Sequence, residues 1–187
     1  ARVTMTGDAT VCSGEEAALN LVVNGSTTGP VTFDLFNGAT LDSNLTVNPP
    51  YPATLTFTRG AGEYRAINVR DVADACDGQE SAIVTITERP EPSAEIISNP
   101  GPLCDGTTGD LEIRLSGGDL NGLISVNLLR DGANGVTLSD AITGTLGTAT
   151  ITQPVGSTGD NSDVYSLVNV VDANGCPGIV NGSTETV

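Results

Sequence analysis

Four cysteines, Cys12, Cys76, Cys104 and Cys176, are the side chains best suited to covalent chemistry here. They offer a disulfide, a thiolate metal site or a nucleophilic thiol. A structural zinc site needs cysteines in close C-x₂₋₄-C pairs, and no two are so spaced. A nucleophilic thiol needs a base, and the chain has no His. Disulfides remain, and they imply an oxidising compartment. The expected pairing is Cys12 with Cys76 and Cys104 with Cys176, because the chain repeats itself and each repeat holds its own pair.

Oxygen chemistry comes next. Asp71, Asp74 and Asp77 cluster in one turn, and Asp172 and Asn174 occupy the equivalent place in the second repeat. Carboxylate and amide oxygens grouped on a loop are candidate calcium ligands. The spacing is not that of a helix–loop–helix calcium site. Asp and Asn also build turns by bonding their own backbone, and that solvated-turn reading is the expected one. Asn24, Asn44 and Asn181 each open an Asn-x-Ser/Thr glycan acceptor pattern, and Ser43, after Asp42, is a candidate for O-linked sugar. No Gly-x-Ser-x-Gly elbow or phosphate loop is present. Acidic pairs for glycoside hydrolysis are available, but three Tyr and three Phe give little platform for sugar stacking. The expected role is non-catalytic, with no cofactor.

The elements that position these residues are written twice. Tyr64 opens an alternating strand that ends at Asp71-Val72-Ala73, and Cys76 follows. Tyr165 opens a second such strand, ending at Asp172-Ala173, and Cys176 follows. A Tyr in this position tucks its ring into the edge of a β-sandwich and bonds nearby backbone. Alternation also marks strands at Leu19–Val23, Val31–Phe36, Ala53–Thr58, Leu111–Leu115 and Leu123–Leu129, and Leu41–Val47, Val136–Ile142 and Thr145–Thr152 are further short strand candidates. Asn37-Gly38, Asp131-Gly132 and Asn134-Gly135 are turn signals. No helical period persists. Each repeat reads as about seven short strands, which predicts two tandem β-sandwiches, residues 1–88 and 93–187, with residues 89–92 as a spacer. Pro90 and Pro92 make that spacer extended and semi-rigid.

Composition narrows the partners. Seven Lys+Arg against 23 Asp+Glu give a net charge of -16. Such a surface repels nucleic acid and anionic lipid. No apolar run approaches the length of a membrane-spanning helix.

Gly7-Asp8-Ala9-Thr10-Val11-Cys12-Ser13-Gly14-Glu15 and the Tyr165 to Asp172-Ala173-Asn174-Gly175-Cys176 segment resemble the tandem Ig-like repeats of large surface proteins from Bacteroidetes-type bacteria. The first repeat departs from that pattern at Asp74-Ala75-Cys76-Asp77-Gly78. The resemblance implies two tandem immunoglobulin-like β-sandwiches, each with one intradomain disulfide, on a bacterial cell surface. It implies a structural subunit of an extracellular filament or adhesin stalk, with copies of itself as the partner. Assembly would be head-to-tail, by adding a terminal strand, 1–6 or 183–187, to a neighbour's sheet edge. The alternative is a glycan- or protein-binding module using loops such as Asn37–Asn44 or Gly132–Asp140.

Overall fold

The computed structural model describes all residues except 26–27, 105, 119–121, 142–147, 157–162 and 183. The chain is all-β among the described residues and divides into two units, Ala1–Glu88 and Arg89–Val187.

The first unit contains β1 (Arg2–Thr6), β2 (Ala9–Val11), β3 (Ala17–Asn24), β4 (Val31–Asn37), β5 (Thr40–Val47), β6 (Ala53–Arg59), β7 (Gly62–Asp71), β8 (Cys76–Asp77) and β9 (Val84–Glu88). One sheet runs β1-β3-β6 and the other β2-β9-β7-β4-β5, with β8 paired to β7. The first strand region is split between the sheets. β1 is antiparallel to β3, whereas β2 is parallel to β9. Gly7 makes the switch at φ 136°, and a Cβ there would lie 2.4 Å from the Ala18 carbonyl oxygen. Only glycine fits such an approach.

Alternation sends every second side chain inward. Val3, Met5, Leu19, Leu21 and Val23 from one sheet meet Val31, Phe33, Leu35, Tyr64, Ala66, Val69, Val84 and Ile86 from the other. The rhythm slips between Ala66 and Val69, where Asn68 takes φ 51° and the β4–β7 register shifts. This is a bulge, and Asn is among the few non-glycine residues that tolerate the left-handed region.

The second unit contains β10 (Ser93–Ser98), β11 (Thr108–Ser116), β12 (Leu123–Arg130), β13 (Ala133–Ala141), β14 (Thr148–Gly156), β15 (Val164–Asp172), β16 (Ile179–Asn181) and β17 (Thr184–Thr186). Its sheets run β14-β11-β10-β16 and β13-β12-β15-β17. Ala94, Ile96, Leu111, Ile113 and Leu115 face Ile124, Val126, Leu128, Tyr165, Leu167 and Val170 in a separate core. Asn169, at φ 55°, repeats the Asn68 bulge in β15.

Three features differ from the sequence reading. Residues 37–44 are not an open loop: Asn37-Gly38 turns β4 tightly into β5. Gly132–Asp140 is largely strand β13, paired along β12. The short strand expected over Thr145–Thr152 begins at Thr148 and runs on to Gly156, while its first residues, 145–147, lie outside the described ones.

Candidate functional site

Within each unit the chain enters at one end and leaves at the other. In the first, Gln79 N–H donates to the Ala1 carbonyl at 3.0 Å, which puts Ala1 at the Asp71 end of β7. Glu88 leaves beyond Gly62, the opposite end, because Gly62 pairs with Ile86. In the second, Ser93 pairs with Ser116 and Ile179. Val187 exchanges backbone hydrogen bonds of 2.9 and 3.1 Å with Asp163, beside the start of β15. These four ends carry the cysteines and the acidic turns.

The cysteines correct the expected pairing. Cys12 and Cys176 are disulfide-bonded, whereas Cys76 and Cys104 are free and exposed. Neither unit closes a bridge of its own, and strand register explains why. Cys12 follows Val11, which pairs with Glu88 at the end where the first unit is left. Cys76 pairs with Asp71 at the end where it is entered. Gly62 to Asp71 alone spans nine positions of β7, about 30 Å at 3.3 Å per residue. A disulfide requires Cα atoms within about 7 Å. In the second unit Cys176 lies at the entering end, near Ile179 and Ser93. Cys104 lies at the leaving end, where its carbonyl accepts from Thr107 N–H at 3.0 Å just before β11. Thr108 to Ser116 separates them by eight positions, about 26 Å.

Two of the five calcium candidates, Asp71 and Asp172, hold turns. Asp71 and Asp172 are buried. Asp71 Oδ1 accepts from Ala73 N–H at 3.2 Å. Asp172 Oδ1 accepts from Asn174 and Cys176 N–H, both at 2.9 Å. These are Asx-type turns, in which the side chain stands in for a backbone acceptor. Asp74, Asp77 and Asn174 are exposed. No group of three or more His, Cys, Asp or Glu able to hold a metal ion exists among the described residues. Asp172 Oδ2 is buried with no hydrogen-bond partner among them.

Tyr64 and Tyr165 are buried, and each hydroxyl reaches back along its own chain. Tyr64 donates to the Gly60 carbonyl at 3.0 Å and Tyr165 to the Gly156 carbonyl at 3.1 Å. Burial, followed by the charge of Asp42, raises the Tyr64 pKa. Asp42 also holds Arg59 at 2.8 Å and raises its pKa through that bond.

Of the glycan candidates, Asn24, Asn44 and Asn181 are exposed. The Asn44 amide is held by Asp34. Ser43 is half-buried and donates to Asp42 at 3.1 Å. The acceptor-pattern residues 26 and 183 lie outside the described residues. The proposed donor strands are already housed: β1 pairs along β3 and β17 along β15. The two bulge asparagines and the sorting of cysteines by end were missed from sequence. The signal for the bulges was an Asn inside an apolar run, Ile67-Asn68-Val69 and Val168-Asn169-Val170, at the same distance from both tyrosines.

No family model and no curated protein matches the chain. Among solved structures, the human OSCAR ligand-binding domain is similar at 16% identity over 99% of this chain and 97% of that one, with a TM-score of 0.35. A tetra-tandem repeat in the extending region of a large adhesion protein is similar at 12% identity over 99% of this chain, with a TM-score of 0.38. The chain spans 48% of the length of that repeat structure.

Proposed function

We propose that the chain is a structural unit of an extracellular bacterial fibre or adhesin stalk, joined head-to-tail to copies of itself. The observation that carries this reading is the through-going path of each module. A module entered at one end and left at the other can be strung in series, and tension then runs along its strands. Each module brings its own core, so adding modules extends the string without redesigning it. The acidic, polar surface suits a hydrated extracellular role, and the disulfide suits an oxidising compartment. Joining through module ends is the favoured mode, since β1 and β17 are already paired at home.

Negative-stain microscopy of the purified chain tests the reading. Unbranched filaments are expected. Dispersed monomers retained on a glycan or protein array would replace it with a binding module. That second reading draws on one observation, an open polar cleft lined by Asn68, Arg70, Asp77 and Glu80.

A further inference from the structure

The two free thiols are complementary in position. The cysteines in disulfide linkage are one leaving-end residue, Cys12, and one entering-end residue, Cys176. The free cysteines are one entering-end residue, Cys76, and one leaving-end residue, Cys104. By the repeat, Cys76 occupies the place of Cys176, and Cys104 that of Cys12. Each free thiol is therefore the counterpart of a cysteine that this same chain oxidises. Both are exposed, and Cys76 Sγ approaches the Asp74 carbonyl oxygen at 3.3 Å.

We propose that Cys104 of one copy and Cys76 of the next form an intermolecular disulfide, which makes the fibre covalent. This rests on the head-to-tail reading above. The partner is a second copy because a copy presents the matching end and the matching sulfur.

The chemistry is thiol–disulfide exchange with a low-molecular-weight disulfide such as oxidised glutathione. The Cys104 thiolate attacks one sulfur of the reagent, a mixed disulfide forms, and one glutathione thiolate leaves. The Cys76 thiolate of the next copy attacks the Cys104 sulfur, the new bond forms, and the second glutathione thiolate leaves. Two protein thiols lose two electrons in all. The reagent gains them, and its thiolates take up the two protons released.

The test is non-reducing electrophoresis of the full chain after incubation in a glutathione redox buffer, with C76S and C104S variants. The wild type should give a ladder of multimers that collapses on reduction, and peptide mapping should show Cys76 joined to Cys104. Either variant alone should stay monomeric, and their mixture should stop at dimer. End-to-end docking brings the partner thiol to about millimolar effective concentration, so the mixture should yield at least about tenfold more dimer than either variant alone. Equal dimer from each variant alone, a Cys76–Cys104 link within one chain, or no link in folded protein would each overturn the proposal. If a serine variant fails to fold, wild type alkylated at its two exposed thiols replaces it and should give no ladder. Filaments that persist in the alkylated protein, where the wild type gives no ladder, would sink the covalent link and leave the fibre reading standing.

Discussion

Tyr64 shows how one hydroxyl serves a fold. Its ring joins the core while its O–H closes the corner onto Gly60. Removing the hydroxyl alone, as in Tyr64→Phe, should cost about 1 kcal/mol, the net worth of one hydrogen bond, as read by urea unfolding. The effect should depend on pH in a definite sense. A phenol whose folded pKa is raised contributes stability that is fully present below its unfolded value, about 10. That contribution is lost as pH climbs through the folded value. The gap between wild type and Tyr64→Phe should therefore be constant from pH 7 to 9 and shrink above about 10. The acidic turns carry a second prediction. Asp71 and Asp172 hold backbone N–H groups, so millimolar calcium or a chelator should leave Tm unchanged. Asp172→Ala should destabilise by about 1–3 kcal/mol, since it frees two buried-side donors. Sequence alone showed that these aspartates mark a turn. It could not say whether their oxygens point at a cation or at the backbone, because that depends on burial.

At the scale of elements, alternation made the strands readable. Leu19-Asn20-Leu21 and Leu111-Glu112-Ile113 announce their inner faces without help from tertiary context. The bulges are harder, since one residue in αL reverses the inward and outward assignment for everything after it. Replacing Asn169 tests this. Asn169→Gly should be close to neutral, while Asn169→Val should lose about 1–2 kcal/mol because a Cβ-branched residue resists positive φ. Loops were misread for a related reason. Asn37-Gly38 and Asp131-Gly132 do mark turns, but they turn so tightly that most of residues 37–44 and 132–140, expected as loops, stay in the ladder. Cysteine pairing failed at this scale as well. The repeat gave each module a matched pair along the sequence, and only strand register revealed that the two cysteines of one module lie at opposite ends.

At the scale of the whole molecule, two cores predict two responses. Leu21 is fully buried in the first core. Leu21→Ala should cost about 2–5 kcal/mol, and in calorimetry it should lower one transition while leaving the other, carried by Ile113 and its neighbours, in place. Charge sets the conditions for assembly. A chain of net charge -16 repels its copies, and salt screens that repulsion over a Debye length of about 8 Å at physiological ionic strength. The most direct measurement is sedimentation velocity of the purified chain across a concentration series, at low and at physiological salt. An open head-to-tail fibre predicts a mass that grows without a stopping point as concentration rises, and grows further with salt. A single species of one chain, or a closed dimer that stays fixed at every concentration and both salts, would contradict it.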